Sequence, residues 1–524
     1  MKKEVKKRDS WGSRFGIIMA VAGSAVGLGN FLRFPGQVAQ NGGGAFMIPY
    51  FISLIILGIP LMWIEWTLGR YGGGFEHGTA PGIFHSLWQK NRFIKYFGVI
   101  GIFGPLVIFS YYTYIASWTL GYSFFAITGK LMQLNTQEEM RQFLATYQGL
   151  NNNAIFSCSL YSIIFFIITF FLNIYILYFG IKGGIEKLCK IGMPILLIFG
   201  MVLLGRVFTL GAPDPLHPTW NINNGLGFLW NPDLSALKNP KVWLAAAGQI
   251  FFTLSVGIGV ILTYASYLSK GDDIVLSGLS AVSINEFAEV ILGGSIVIPA
   301  AFIFFGPLEI QNIAKAGIFN LGFVTMPLVL NKIALSWFFG FSWFMLLFLA
   351  GVTSSVSLAQ PAITFLEDEF DIDRKRAVVC FAIIALFLCL PAILFLNKGV
   401  VDELDFWGGT FCLVVFATVE TILFGWVFGI EKAWEEIHHG ADLKVPGFYK
   451  FIIKYVTPSF LIAILIWWFL KEWLPLIRMQ GVSSENKIFI QLTRLGLLTL
   501  FLTIAILVKL AWRKKCGVIL NKHN

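Results

Sequence analysis

Long apolar runs recur along the whole chain, and each is long enough to form a helix across a lipid bilayer. Such a helix needs about 20 predominantly apolar residues. Runs of this kind lie near residues 14–40, 44–71, 97–127, 159–180, 191–208, 242–268, 275–304, 337–366, 377–396, 404–428, 451–471 and 493–511. The pattern therefore predicts an all-α polytopic membrane protein with about twelve transmembrane helices.

The composition leads to the same class of protein. Of the 524 residues, 56% are hydrophobic and only 13% are charged, whereas soluble domains carry about 25% charged residues. So few charged side chains cannot cover a water-facing surface of this size. The six cysteines show no CxxC spacing, which argues against a disulfide framework or a metal site.

The basic residues indicate an orientation rather than a nucleic-acid partner. Lys and Arg cluster in the segments between apolar runs, at residues 2–8, 92–95, 182–190, 374–376 and 513–515. With twelve spans, all five clusters fall on one face of the membrane. The positive-inside rule makes that face cytoplasmic, so both termini are predicted to lie in the cytoplasm.

Two of the predicted spans are interrupted by glycine and polar residues. The first contains Gly23, Gly27, Gly29 and Asn30, and the sixth contains the sequence TLSVGIG at 253–259. Each glycine weakens a helix by roughly 1 kcal/mol relative to alanine. Glycines that merely allow close helix packing are the alternative interpretation.

These interruptions occupy matching positions in two blocks of five spans, residues 14–208 and 242–428, which residues 451–511 follow with two more. Broken helices in corresponding positions of two halves are typical of the binding site of a secondary transporter. A half-helix N-terminus favours a carboxylate, and freed carbonyl oxygens favour a small cation or an ammonium group. An amino acid together with sodium would satisfy both.

Ionisable residues inside apolar spans are functional candidates by default. They are Arg33, Glu65, Glu286, Glu289, Asp405 and Glu420. Glu65 and Glu420 are also candidates to accept hydrogen bonds from the unwound segments. The hydroxyl run Thr353–Ser355 could hold a cation, or could only bond back to its own helix.

Four stretches carry a resemblance to a known family. They are AGSAVGLGNFLRFP at 22–35, NGGGAF at 41–46, GQIFFTLS at 248–255 and AGVTSS at 350–355. They resemble the neurotransmitter:sodium symporters, and the similarity extends from about Arg8 to Lys515. The resemblance implies one transporter domain with an inverted five-plus-five helix repeat, in which helices 1 and 6 are discontinuous. It further implies alternating access driven by sodium, no organic cofactor and a prokaryotic inner (plasma) membrane.

The resemblance also implies a set of binding residues and gates. One sodium site would use Ala25, Asn30, Thr253 and Asn285, and a second would use Gly23, Val26, Ala350, Thr353 and Ser354. The substrate would be bound by Ser24, Ala25, Leu28, Gly29, Ile108, Tyr112, Phe252, Thr253, Ser255, Ile258, Ser354, Ser355 and Leu358. Arg33 with Asp405 would form an outer gate, and Arg8 with Asp368 an inner gate.

The side-chain pocket departs from that of a bacterial relative at Ser24, Ile108 and Ile258, where that protein has Asn, Val and Phe. The pocket remains aliphatic, so we expect a neutral, leucine-like amino acid as substrate. Glu289 stands where chloride-dependent relatives have Ser. Its carboxylate would supply the charge that chloride brings, which predicts chloride-independent transport, with a proton on Glu289 in part of the cycle as an extension. A buried carboxylate with a purely structural role is the alternative.

Three other functions were weighed. A sensor that binds without transporting would share the pocket but lack the gates, and a channel would need an open pore that Tyr112 and Phe252 oppose. An enzyme is disfavoured because the six histidines all lie in predicted loops or at the terminus, and no HExxH, GxSxG or Walker motif is present. The sequence leaves the oligomeric state open, with a homodimer as one option.

Overall fold

A computed structural model describes residues 8–151, 156–315 and 317–520. Basic residues 2–7, which contributed to the orientation argument, lie outside the described residues. The described chain is built from helices and their connections. Ten helices are long and apolar enough to cross a membrane. They are α3 (Gly44–Gly73), α5 (Ile94–Ile127), α7 (Leu160–Tyr178), α8 (Ile181–Phe208), α12 (Val275–Lys315), α14 (Ser336–Phe370), α15 (Arg374–Leu394), α16 (Val400–His438), α17 (Phe448–Lys471) and α18 (Ser484–Lys514).

The two remaining predicted spans are each split into two helices. The first consists of α1 (Arg14–Ala25) and α2 (Leu28–Gln40), which meet at a bend of 48°. The sixth consists of α10 (Pro240–Leu254) and α11 (Val260–Ala265), both too short to cross alone. Length and apolarity therefore identify eleven of the twelve predicted spans in the described chain. The remaining one is the sixth, which is formed by the broken pair α10–α11.

Shorter helices complete the order along the chain. They are α4 (Ala80–Leu87), α6 (Gln137–Gln148), α9 (Ile222–Trp230) and α13 (Leu321–Asn331). The last of these lies in the connection between α12 and α14. Before it, α12 bends at Gly306, whose φ of 77° is accessible to glycine without strain.

Several long helices contain π-helical stretches, in which one extra residue is accommodated in a turn. Two of them carry residues singled out from the sequence: Phe287–Gly294 includes Glu289, and Asp405–Phe411 begins at Asp405. Such insertions often mark functional sites because they redirect side chains that a regular helix would point elsewhere. The hydrophobic periodicity of the sequence did not indicate them.

The broken helices lie at the centre of the bundle, and the others enclose them. In α1, nine of twelve residues are buried, including Ser24 and Ala25. Helices α7, α15 and α18 instead expose large apolar side chains such as Phe171, Phe387 and Leu495, as expected for surfaces that face lipid. Polar residues therefore concentrate around the breaks, away from hydrocarbon.

Candidate functional site

The two helix breaks face each other inside the bundle. Between α1 and α2, Val26 and Gly27 leave the helical conformation, with φ/ψ of −72°/93° and −118°/−167°. Between α10 and α11, Ser255, Gly257 and Gly259 all have positive φ, at 53°, 77° and 80°. Both breaks coincide with the interruptions predicted from the sequence, and at the second break Gly257 and Gly259 accept positive φ without strain.

A cavity of about 50 Å³ lies between the breaks. Ten of the thirteen predicted substrate residues line it: Ser24, Ala25, Gly29, Ile108, Tyr112, Phe252, Ser255, Ile258, Ser354 and Leu358. Five further lining residues are not among those predicted to bind the substrate: Gly27, Asn30, Ser357, Gly409 and Leu413. Of these, Asn30 had been assigned to the first sodium site.

The other three predicted substrate residues lie outside the lining. The side chain of Ser355 points away, and its hydroxyl donates to Asn173 Oδ1 at 2.9 Å. Ser357 takes its place and lies 2.7 Å from the Ser24 hydroxyl. Helical spacing could have revealed this, because residues three and four positions after Ser354 share its face and the next residue does not.

The amide end of α2 forms one wall of the cavity. The N–H of Leu28 donates to the Tyr112 hydroxyl at 3.0 Å, and the N–H of Gly27 donates to Asn30 Oδ1 at 2.9 Å. The first amide groups of a helix have no partner within it and carry partial positive charge. This end of the cavity therefore suits a carboxylate, with Tyr112 able to turn its hydroxyl toward the ligand.

Oxygen atoms converge beside that end. The end of the Asn285 amide that accepts from Asn30 Nδ2 at 2.9 Å also lies 3.3 Å from the carbonyl oxygens of both Ala25 and Thr253. A cation that binds oxygens at about 2.3–2.6 Å brings neighbouring ligands to roughly this spacing. The donor set thus fits a small hard cation, and it contains the predicted residues of the first sodium site, with Asn30 in contact.

Glu289 adjoins this oxygen cluster directly. One carboxylate oxygen accepts from Asn30 Nδ2 at 3.0 Å and from the Thr253 hydroxyl, and the other accepts from Gln249 Nε2 at 2.8 Å. The side chain is fully buried. A buried negative charge is costly unless it is paired or compensated, and a bound cation beside Asn30 and Thr253 would compensate it.

The residues predicted for a second sodium site also come together. The Ser354 hydroxyl lies 3.4 Å from the carbonyl oxygen of Gly23 and 3.2 Å from that of Ser24. The Thr353 hydroxyl donates to the carbonyls of Leu349 and Ala350 in its own helix, which is the back-bonded arrangement weighed from the sequence. Val26 lies at the C-terminal end of α1, beside this group.

The predicted inner gate is closed. An Arg8 guanidinium nitrogen lies 3.0 Å from Asp368 Oδ2, and Arg8 also donates to the carbonyl oxygen of Ser266 at 3.0 Å. Its guanidinium stacks over the Tyr267 ring at 4.7 Å. The start of the chain is thereby fastened to α14 and to the end of α11.

The predicted outer gate is not paired in this conformation. Arg33 lies over the Phe252 ring, 4.3 Å from its centroid, and Asp405 accepts a hydrogen bond from Tyr111 at 2.5 Å. In the part of the chain that the structure describes, no ion pair joins the two gate residues. The expected Arg33–Asp405 contact is thus replaced by two aromatic partners, and Tyr111 was not foreseen.

Glu65 and Glu420 differ in what they do. Glu65 accepts from the N–H of Gly257 and, at 3.3 Å, from that of Leu262, so it caps the break before α11 as the sequence suggested. Glu420 is equally buried and lies against the Glu65 carboxyl group, and neither of its oxygens accepts from an N–H group among the described residues. Its expected role as an acceptor for an unwound segment is therefore not seen.

Comparison with known proteins gives the fold and the class of function that the sequence predicts. A profile of the sodium:neurotransmitter symporter family matches residues 8–162 and 140–480. An uncharacterized sodium-dependent transporter of Methanocaldococcus jannaschii is 32% identical over 462 residues, covering 87% of this chain and 90% of that protein. Sodium-dependent nutrient amino acid transporter 1 of Drosophila melanogaster is 26% identical over 525 residues, covering 89% and 78%.

Among solved structures, the crystal structure of MhsT in complex with L-phenylalanine aligns with a TM-score of 0.74 at 30% identity, covering 88% of this chain and 99% of MhsT. MhsT has the LeuT fold, which confirms the predicted fold class. The relatives are secondary transporters and not enzymes. The protein is therefore a multi-pass, sodium-dependent membrane transporter, and the chain belongs to the sodium:neurotransmitter symporter family.

Proposed function

We propose that the protein couples the uptake of a neutral, aliphatic amino acid to sodium and does so without chloride. The observation that carries this proposal is the cavity where the two helix breaks meet. The cavity joins an amide-rich end at Leu28 to an oxygen cluster around Asn285. An α-amino acid carries the complementary charges, because its carboxylate suits the amides and its ammonium suits free carbonyls such as that of Ala25.

The remainder of the cavity selects the side chain. Its apolar lining comes from Ile108, Ile258, Leu358 and Leu413, and no charged side chain lines it. Burying an unpaired charge there would be unfavourable, so acidic and basic amino acids are disfavoured. The amino acids named for the fly relative and for MhsT, nutrient amino acids and L-phenylalanine, belong to a compatible class.

Glu289 supports the chloride-independent part of the proposal. Its carboxylate contacts Asn30 and Thr253, two residues of the first sodium site, and occupies the donors that an anion would need. Tyr50 donates to the neighbouring Glu286 at 2.8 Å and also interacts with Glu289, so its hydroxyl lies between the two carboxyl groups. A proton taken up from water by Glu289 in part of the cycle would return the site to neutrality once sodium leaves.

The direct test is uptake of radiolabelled leucine into proteoliposomes that carry the purified chain. An inward sodium gradient should drive accumulation in both chloride and gluconate, and an inward potassium gradient should not. A panel of unlabelled competitors then ranks side chains, with alanine, valine, methionine and phenylalanine set against glutamate and lysine. A charged amino acid as best competitor would contradict the proposed pocket.

The variant Glu289→Ser separates the chloride question from the substrate question. It removes the fixed charge and leaves the donors Gln249 and Thr253 free, so uptake should now require chloride. Glu286→Gln is the matched control, because it neutralises the neighbouring carboxylate without opening that space. Chloride independence of the Ser variant would show that Glu289 does not replace the anion.

Two further features are proposed with this function. The helices of residues 14–208 and 242–428 form the two inverted repeats, which places the breaks symmetrically. Both termini lie on the cytoplasmic side of a cell inner membrane, because the Lys and Arg clusters share one face. Single cysteines introduced near Arg376 and near Asn397 should be labelled from opposite sides of intact cells, and labelling from one side would refute the topology.

A further inference from the structure

A second cavity, of about 240 Å³, lies on the other side of α5 from the helix breaks, between α5, α15, α16 and α18. Its deep wall consists of buried side chains, among them Val107 (1% exposed), Val400 (1%) and Leu404 (7%). Its rim is open, since Leu492 on α18 is 57% exposed. The feature is thus a groove in the surface that the bundle presents to the membrane.

The groove offers almost nothing to a polar ligand. Its two hydroxyl groups already bond within their own helices, Ser110 to the carbonyl of Val107 at 2.6 Å and Thr493 to that of Phe489 at 2.8 Å. Water is not expected to fill an apolar space of this kind. An empty groove would forfeit the dispersion contacts of its lining, so a hydrocarbon occupant is favoured.

A positive charge stands at one end of the groove. The ammonium of Lys398 lies 5.8 Å from the centroid of the Phe489 ring, which lines the groove. Lys398 follows directly after α15 ends, and α18 begins nearby, so this end lies at the membrane boundary. Within the described residues Lys398 forms no ion pair with a carboxylate, which leaves its charge available to a phosphate.

From this combination we propose that the groove binds one acyl chain of an anionic phospholipid, with the phosphate near Lys398. The lipid belongs to the leaflet at which α15 ends and α18 begins. This site is separate from the substrate cavity and from both predicted sodium sites.

The position of the groove would link lipid occupancy to transport. Val107 lines the groove, whereas the next residue, Ile108, lines the substrate cavity. Opposite them, Leu404 lines the groove, and it immediately precedes the predicted gate residue Asp405. The two sites therefore share a wall one helix thick, and an acyl chain would support that wall from the lipid side.

Photo-labelling tests the site. The full-length protein is placed in nanodiscs that contain phosphatidylglycerol with a diazirine at the end of one acyl chain, and labelled peptides are mapped after illumination. We expect labels in residues 388–404 and 489–500. Labels spread evenly over the lipid-facing helices would overturn the proposal.

Filling the groove provides the decisive variant. A Cβ at Gly496 would meet nothing within 4 Å, so Gly496→Phe places a ring in the groove without a clash and should abolish its labelling. Gly205 on α8 is equally open, and Gly205→Phe is the matched control that should keep the labelling. Unchanged labelling in Gly496→Phe would overturn the proposal.

Two measurements separate this lipid from other occupants. Lys398→Gln should reduce competition by unlabelled phosphatidylglycerol and leave competition by phosphatidylcholine unchanged; equal effects on both would refute the phosphate contact. Cross-links between copies of the chain through 388–404 and 489–500 would show that a second copy covers the groove, and would refute an acyl chain there.

Discussion

The two helix breaks look alike in the sequence, yet the structure treats their exposed amide groups differently. The amides that follow the second break are occupied by a protein carboxylate, since Glu65 binds the N–H groups of Gly257 and Leu262. Those after the first break meet only neutral oxygens, from Tyr112 and Asn30. Of the two helix N-termini at the breaks, only the start of α2 therefore has amide groups available to a ligand carboxylate. The start of α11 is capped by Glu65, and this cap stabilises the fold.

The largest effect should come from removing the cap of the second break. Glu65→Ala leaves the two amide groups buried without an acceptor, at a cost of about 1–3 kcal/mol for each. We expect a marked loss of thermal stability in detergent, measured from the melting of the purified protein, and loss of uptake with it.

Glu420→Gln is the matched control for that experiment. Glu420 is just as buried but accepts from no N–H group among the described residues, and it lies against the Glu65 carboxyl group. The glutamine amide can still donate to Glu65, so the cap survives and the substitution should cost little stability. Equal destabilisation by the two substitutions would mean that burial of charge, and not capping, accounts for the effect of Glu65.

The next effect concerns the available end of the first break. Tyr112→Phe removes the hydroxyl that would bond the substrate carboxylate, and hydrogen bonds to charged groups contribute about 1.5–3 kcal/mol. Affinity for leucine should fall roughly 10- to 100-fold. Thermal stability should fall less than in Glu65→Ala, because only one amide, that of Leu28 beside the cavity, loses its acceptor. Equilibrium binding of radiolabelled leucine in sodium measures the first quantity, and melting measures the second. A variant that melts early but binds normally would contradict the assignment.

A pair of glycine substitutions distinguishes the breaks by backbone geometry. Gly259 has φ of 80°, so Gly259→Ala is strained by about 1–2 kcal/mol and also brings a methyl group to 2.7 Å from the carbonyl oxygen of Gly101. Gly27 has φ of −118°, which alanine accepts, but its methyl would lie 2.8 Å from the Tyr112 hydroxyl. The first variant should lose stability and the second should lose leucine binding. The reverse outcome would exchange the roles of the two breaks.

The location of both breaks could be predicted from the sequence because glycine and hydroxyl residues interrupt otherwise apolar spans. The spans themselves followed from length and apolarity. The helical phase of the hydroxyl run is available too, since Ser357 shares the cavity face with Ser354, whereas Ser355, which the family resemblance implies, does not.

Other features depend on tertiary packing and could not be predicted in this way. Arg33 and Asp405 are separate in this conformation because Arg33 stacks on Phe252 and Asp405 accepts a hydrogen bond from Tyr111. A transporter with alternating access changes such contacts during its cycle, so one sequence is compatible with both arrangements. Likewise, only the packed bundle shows that Glu65 accepts from backbone amides, whereas Glu420 lies against Glu65.

The smallest expected change in stability comes from substitutions of Ser255, where the two breaks are in contact. Ser255 adopts φ of 53°, uncommon for a residue with a side chain, and its hydroxyl donates to the carbonyl oxygen of Ser24 at 2.9 Å. Ser255→Ala loses this bond and keeps the strain, so it should cost about 1 kcal/mol. Ser255→Gly loses the same bond but relieves the strain, and its stability should exceed that of the Ala variant. Thermal melting of both proteins decides the point. If the Gly variant were the less stable, the left-handed geometry at Ser255 would carry no cost. The hydroxyl bond to Ser24 would then be the remaining explanation for serine at this position.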